Sequence, residues 1–382
     1  MKIGVNTLFF VPGDVGGTEV YFRQNMKFMV ADNPSHSFIL FVTADNEQVL
    51  QGDLRGMENV SFVRLRFRAS FRPLRIMMEQ TLLPLLVQRA GVEVLWSPGY
   101  TAPLWCPCKQ VVTIHDLQYK THPEDLTFLE RVTLDFLVRS ACKRCDRVIA
   151  VSHFSKGEIL RYRFAPEKKV TVVHEGVDPK FGVLPENKIA KSLEQIPQGT
   201  PYILCVAHTY PHKQVELLIQ AFGFLVKDIP HHLVLLGKPR RGEKEVQVAL
   251  NAVSQVSRVH RFMGLPYDEL VHLYHGADIF VLPSEYEGFG LPVLEALLAG
   301  VPVVTSRKAS LPEVGGECAF YAEENSAEGF VGAIKEVLRL DRRGRERVVE
   351  HGRLHAESFS WQKSSVGTMG ALLSFFVLEP GA

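Results

Sequence analysis

Short runs of β-branched and aromatic residues alternate with helical stretches along the whole chain, and this alternation constrains the fold more than any other feature. In the first half the strand-like runs are KIGVNTLFF (2–10), SFILFV (37–42), NVSFVRL (59–65), VEVLW (92–96), QVVTIH (110–115), RVIAVS (147–152) and KVTVVH (169–174). Helical patterns such as Thr18–Ala31 and Pro73–Ala90 separate most of them. Alternation of this kind predicts parallel sheets with helices on both faces. The rhythm breaks over 182–200, where Pro185, Pro197 and Gly199 stand among polar residues as in a linker. It restarts with YILCVAH (202–208), HLVLLG (232–237), RVHRFMG (258–264), DIFVLP (278–283) and VPVVTS (301–306), with helical patterns from Lys213, Glu243, Tyr267 and after Gly290.

The expected architecture is therefore α/β, with two Rossmann-like, doubly wound parallel-sheet domains facing across a cleft. The first spans 1–185 and regains a C-terminal helix in 361–382 that crosses back to it; the second spans 186–360. A length of 382 residues suits two domains. Ligands in such folds lie beyond the carboxyl ends of the strands.

A net charge of +1 excludes a strongly basic nucleic-acid binder and an acidic disordered chain. No apolar run reaches the roughly 18 residues that suggest a membrane span. The N-terminus, MKIGVNTLFFVPGD, reads as a first strand rather than a signal peptide, so a cytoplasmic protein is expected. Six cysteines are too few for a disulfide scaffold. Cys106 with Cys108, and Cys142 with Cys145, each precede a predicted strand and could meet at one sheet end. The second pair has metal-ligand spacing, but the gap between the pairs matches no common zinc pattern, so ordinary reduced thiols and no metal are expected, with a structural zinc as the alternative.

The stretch PSEYEGFGLPVLEALLAG (283–300) concentrates chemistry. DIFVLP ends in a loop holding Glu287, Gly288 and Gly290, and Pro292 suits the first position of the next helix, where its missing N–H costs nothing. Backbone N–H groups near Phe289, Gly290 and Leu291 would face an anion favoured by the helix dipole. Glu287 precedes this helix start and Glu295 lies one turn inside it. Ionised carboxylates only accept hydrogen bonds and suit sugar hydroxyls. The plainer alternative is a loop residue and a carboxylate that favours the dipole.

EGFGLPVLE (287–295), with glutamates at its first and ninth positions, resembles the signature of the retaining nucleotide-sugar glycosyltransferases of the GT-B fold, the glycosyl transferases of group 1, in a mannosyltransferase-like form. ADIFVLPS (277–284), AGVPVVTS (299–306), LPEVGG (311–316), IHDL (114–117), RVIAVSHFSK (147–156) and VVHEGVDPKF (172–181) resemble the same family, in the same order. The resemblance implies that Glu287 binds donor-sugar hydroxyls, that Glu295 binds the ribose, and that N–H groups around Gly290 and Leu291 hold the diphosphate. It places a base contact near Met263 to Tyr267.

Basic groups should face the leaving diphosphate, where charge develops. In CVAHTYPHKQ (205–214), Lys213 matches the family's lysine, while His208 stands where the family often has arginine and His212 precedes the lysine. Histidine's charge is conditional where arginine's is not. The wording of this stretch leans towards a mannosyl donor such as GDP-mannose. In the first half, GDVGGTEVY (13–21) lacks the GxGxxG spacing of a dinucleotide site, yet Gly16 and Gly17 offer N–H groups before a helix. The resemblance lays this loop over the cleft. It also puts His115, beside Asp116 at a strand's carboxyl end, next to the donor's reactive carbon, acting through ring or carbonyl. Asp116 is alternatively a turn cap. Glu175 replaces a more usual asparagine and receives no role.

RLRFRASFRPLR (64–75) holds Arg64, Arg66, Arg68, Arg72 and Arg75 with two phenylalanines and no acid. It reads either as a solvated strand end or as a contact for an anionic acceptor at the cytosolic face of a membrane. The expectation is a retaining hexosyltransferase that needs no metal or other cofactor, taking a nucleotide sugar as donor and a glycan or lipid-linked sugar as acceptor. The alternatives are a non-catalytic nucleotide-sugar binder, an epimerase of the same fold and, against the missing GxGxxG, an NAD-dependent dehydrogenase.

Overall fold

The structure is a computed structural model that describes all residues except 15, 124–125, 185–193, 198 and 377–382. The chain separates into two units, 1–176 with 360–382, and 177–359. The expected boundary at 185 falls outside the described residues, as does much of the expected linker.

In the first unit the apolar runs form β1 (Lys2–Asn6), β2 (Ser37–Thr43), β3 (Val60–Leu65), β4 (Val94–Ser97), β5 (Lys109–Ile114), β6 (Arg147–Ala150) and β7 (Val170–Val172). They pair in parallel in the order β3-β2-β1-β4-β5-β6-β7. The central strands are buried on both faces, which is why their sequences are nearly continuous apolar runs instead of alternating ones. Strand order reverses between β1 and β4, so their carboxyl ends diverge there. The C-terminal helix Trp361–Leu373 packs on helix Gly17–Asp32, and Asn25 donates to Ser364 across that contact. The expected return of the C-terminus to the first unit therefore holds.

The second unit repeats the plan with β8 (Tyr202–Val206), β9 (His232–Leu236), β10 (Val259–Phe262), β11 (Ile279–Leu282), β12 (Val303–Thr305) and β13 (Ala319–Tyr321), in the order β10-β9-β8-β11-β12-β13. Pairing is again parallel and the order reverses between β8 and β11. The sequence reading misses β13: three half-buried residues at the sheet edge, Ala-Phe-Tyr, carry too little apolar pattern to register. The helix expected from Lys213 starts at Val215 instead, because Pro211–Lys213 closes a tight 3₁₀ turn and Gln214 turns left-handed at φ 48°.

Candidate active site

In the second unit the reversal point brings the turn after β8 against the loop after β11. β8 runs out through Ala207 and His208 into the 3₁₀ turn that ends at Lys213. β11 runs out through Pro283 and Ser284 into the Glu287 loop and helix Leu291–Leu298. The backbone N–H of Glu285 donates to the His212 carbonyl at 2.8 Å, which ties the two connections together.

Lys213 Nζ lies 2.6 Å from Glu287 Oε1, and Ser284 Oγ donates to the same oxygen at 2.8 Å. Glu287 Oε2 has no hydrogen-bond partner among the described residues, so its acceptor capacity is open. The loop is held from behind by two serines after β12. Ser306 Oγ donates to the Ser284 carbonyl at 2.6 Å, and Ser310 Oγ reaches the carbonyls of Glu287 and Phe289 at 2.9 and 2.6 Å. Gly290 caps the helix at φ 110°, a conformation L side chains rarely adopt, and a Cβ there would come 3.1 Å from Leu311 Cδ2. The helix opens at Leu291 with Pro292 second, one position later than expected.

Glu295 sits on this helix one turn in, and Tyr274 Oη donates to its Oε2 at 2.7 Å. Burial, reinforced by the charge of Asp178, pushes the Glu295 carboxyl up to about 7 against the pull of the Tyr274 hydroxyl. Asp178 in turn accepts from Tyr267 Oη at 2.7 Å, and Phe181 packs edge-on against both tyrosines. Met263, at the end of β10, is exposed.

His208 is placed by β9. Gly237 has no room for a side chain, since a Cβ would lie 1.9 Å from the Ala207 carbonyl oxygen. That close approach brings the Lys238 N–H to His208 Nδ1 at 3.0 Å. Nδ1 accepts, so the ring is the neutral tautomer with its proton on Nε2. Burial first, then the charges of Arg240, Lys213 and Lys238, lower its pKa. His208 is thus a neutral donor amid the cations Arg240, Lys213 and Lys238. Arg240 lies over the Tyr210 ring at 5.7 Å, its Nε is buried with no hydrogen-bond partner, and it has no ion pair among the described residues. Lys238 and Arg240 are missing from the residues expected from the sequence, although GKPRRGEK (237–244) places cations at a strand's carboxyl end, a signal for such a site. His212 is buried and stacked on Tyr210 at 5.6 Å.

In the first unit, His115 follows β5 and is buried. Its Nε2 lies 2.9 Å from the Pro98 carbonyl and its Nδ1 lies 3.2 Å from Glu175 Oε1. Its own carbonyl accepts from Ser155 Oγ at 2.8 Å. Glu175, left without a role in the sequence reading, thus orients this ring. Asp116 accepts from the Gln118 N–H at 3.0 Å and from Tyr100 Oη at 2.9 Å, so it does cap its turn. Gly16 caps helix Gly17–Asp32 at φ 55°, and Gly17 is that helix's first residue.

The reversal point of the first unit holds a group that the sequence reading did not single out. Glu79, on helix Arg72–Ala90, is 3% exposed. It accepts from Asn6 Nδ2 at 2.7 Å and from Thr101 Oγ1 at 3.0 Å, and Asn6 also reaches Ser97 at 3.2 Å. Burial raises its carboxyl against these hydrogen bonds and the charge of Arg75. Arg75 therefore faces inwards and leaves the predicted basic patch. Acids distant in sequence also take Arg64 (Glu47, 3.0 Å) and Arg72 (Glu130, 3.1 Å).

The two cysteine pairs lie in different apolar clusters, and among the described residues the four thiols do not converge as metal ligands. Nor is any described helix long and apolar enough to cross a membrane.

Fold and sequence comparisons agree on the class. A solved structure of Anabaena HepE in complex with UDP-glucose superposes with a TM-score of 0.75 at 18% identity, covering 98% of this chain and all of that one; the fold is GT-B. The model for glycosyl transferases group 1 matches residues 187–355, and that for glycosyltransferase family 4 matches 15–181. Over 284 residues the chain is 30% identical to the O-antigen chain mannosyltransferase B of Escherichia coli, covering 69% of this chain and 70% of that protein. It is 25% identical over 260 residues to the O-antigen chain mannosyltransferase RfbU of Salmonella typhimurium, 68% of each. The chain belongs to the group 1 glycosyltransferases.

Proposed function

We propose that this glycosyltransferase is a retaining enzyme that moves a hexose, mannose in our reading, from a nucleotide diphosphate sugar to a hydroxyl of a glycan or lipid-linked acceptor, without a metal. The observation that carries the reading is the pair Lys213–Glu287 at the reversal point of the second unit, beside the Gly290 helix start. A site with a fixed cation, a helix N-terminus and a carboxylate oxygen still open matches a diphosphate flanked by a sugar.

In this reading Lys213 and the N–H groups near Phe289, Gly290 and Leu291 hold the diphosphate. Arg240 and Lys238 supply the charge that His208 does not, and His208 donates from Nε2. These groups stabilise the negative charge that builds as the phosphate leaves, which is the task a metal would otherwise perform. Glu287 Oε2 accepts a sugar hydroxyl, and Glu295 accepts from the ribose. The bond from anomeric carbon to phosphate oxygen breaks while the acceptor oxygen bonds to that carbon on the same face. The acceptor's proton passes to the departing phosphate oxygen, so the step calls for no protein base. His115, Asp116, Gly16 and Gly17 are the first unit's candidates for positioning the reactants. Mannose rests on the two mannosyltransferase relatives; the UDP-glucose bound to the structural neighbour makes a uridine donor the outcome to test against it.

A thermal-shift panel of nucleotide sugars tests the donor, because a ligand bound by the native state alone raises stability. GDP-mannose should give the largest shift, and product analysis by NMR should show the α anomer with undiminished turnover in EDTA. Glu287→Ala should lower turnover at least about a hundredfold, about 2.7 kcal/mol of transition-state stabilisation, with the fold intact. Turnover like the wild type would reject the site, and an isomerised sugar formed without acceptor would favour the epimerase.

A further inference from the structure

Cys106, Pro107 and Cys108 end the loop that returns from β4 to β5. Proline fixes its own φ and biases the residue before it towards extended backbone, and the chain then bends at Pro107 and Cys108. Exposure alternates along the stretch. Trp105, Pro107 and Lys109 face solvent, while Cys106 and Cys108 pack together, half-buried, against the apolar cluster of Leu83, Val87 and Leu95. Their sulfurs lie 3.5 Å apart, within reach of an S–H···S hydrogen bond.

That bond makes the two sulfurs unequal. The Cys108 S–H, donated to Cys106, holds the Cys106 thiol below its ordinary range against the effect of burial. The same bond, followed by burial and the charge of Cys106, pushes the Cys108 thiol up. Cys106 therefore gives up its proton first while Cys108 keeps one. The other four cysteines offer no such pair. Burial pushes Cys142 and Cys205 up to about 12 and raises Cys145 as well, and Cys318 donates to the His351 carbonyl. Among the described residues no third histidine, cysteine or carboxylate atom gathers with the two sulfurs, so they lack the donor set of a zinc site. A thiolate beside a thiol on accessible surface is suited instead to exchange with a disulfide.

We propose that Cys106 and Cys108 form a reversible oxidation site whose oxidant is a low-molecular-weight disulfide. The Cys106 thiolate attacks one sulfur of that disulfide, and the other sulfur leaves as a thiolate that takes a proton from water. Cys108 loses its proton to water and attacks Cys106 of the mixed disulfide. The Cys106–Cys108 bond forms, the bond to the small thiol breaks, and that thiol leaves and is protonated. Two protein thiols are oxidised, and one small disulfide is reduced to two thiols. Closure brings the sulfurs from 3.5 Å to a bond of about 2.05 Å, a movement that side-chain rotation supplies. A link across a single residue at the surface is open to attack by thiols, so a reducing medium restores the dithiol. The site lies at the amino end of β5, with His115 beyond its other end, and its test needs no turnover.

The full chain, reduced and then held at about pH 8 with excess glutathione disulfide, provides that test. After unfolding and alkylation, Cys142, Cys145, Cys205 and Cys318 should carry label, and Cys106 and Cys108 should not. The tryptic peptide 90–109, which holds both, should be lighter by two hydrogens than its reduced form, and dithiothreitol should restore both labels. Cys108→Ser should trap one glutathione on Cys106, while Cys106→Ser should slow the reaction at Cys108 about tenfold. In the native, reduced chain an alkylating reagent should reach Cys106 about tenfold faster than Cys318. A wild type that keeps all six thiols open to label would overturn the proposal. So would glutathione left on both residues, or a bond from either sulfur to another cysteine or to a second chain.

Discussion

The two units share a strand order and a reversal point, and fill that point in opposite ways. In the first, helix Arg72–Ala90 drives Glu79 into the gap between the ends of β1 and β4, where Asn6 and Thr101 satisfy it. In the second, the equivalent gap between β8 and β11 holds Lys213 and Glu287, with Arg240 nearby and in no ion pair among the described residues. One gap is plugged by a satisfied, buried carboxyl group; the other keeps unspent charge and acceptor capacity. The same topology therefore creates a place for ligands without committing to use it, and the side chains delivered by the loops decide.

Breaking the plug should have the largest effect. Glu79→Ala takes the carboxylate from the buried Asn6 amide and from the half-buried Thr101 hydroxyl and should cost about 3 kcal/mol in urea unfolding. Glu79→Gln, which keeps an acceptor, should cost about 1 kcal/mol. Neither should change nucleoside diphosphate affinity, because the group lies in the other unit. Equal losses from both variants would show that charge rather than hydrogen bonding holds the plug.

Removing the unspent charge should come next. Arg240→Ala should weaken GDP or UDP binding about tenfold by calorimetry, about 1.4 kcal/mol, with Arg240→Lys recovering part. The His208 pKa, followed by NMR, should rise in Arg240→Ala, since that charge is among those depressing it. Unchanged affinity would put Arg240 outside the diphosphate site.

The smallest effect concerns Glu295. Its carboxyl is raised to about 7, so it is protonated below that pH and an acceptor-only carboxylate above it. A ribose that donates to the carboxylate should bind a few-fold more tightly at pH 8 than at pH 6, and Glu295→Gln should remove that rise. The ligand-free protein should run the other way. A folded-state pKa above the unfolded value contributes stability at low pH that is lost as pH rises through about 7. A pH dependence of affinity that survives in Glu295→Gln would assign the titration elsewhere.

Much of this was legible in the chain. Parallel strands buried on both faces announce themselves as apolar runs, and the glycine turn with its two glutamates is a local pattern. The reading failed where apolar pattern is thin or partners are distant. β13 is three residues at an edge. The arginine run contains no acid, yet Glu47 and Glu130, distant in sequence, pair with Arg64 and Arg72 in space. Glu175 looked like a stray substitution until His115, 60 residues away, proved to be its partner.

By itself, then, the sequence determined what spacing can encode: two rounds of strand–helix alternation, the left-handed glycine before a helix, and Glu287 and Glu295 eight positions apart on the same connection. The tertiary structure alone decided which charges meet. Lys213 and Glu287 are joined only because β8 and β11 lie side by side, and Lys238 and Arg240 surround His208 only because Gly237 lets β9 close onto the end of β8. Those contacts depend on sheet order and register, set by packing summed over the whole unit, and no local stretch of residues carries that information.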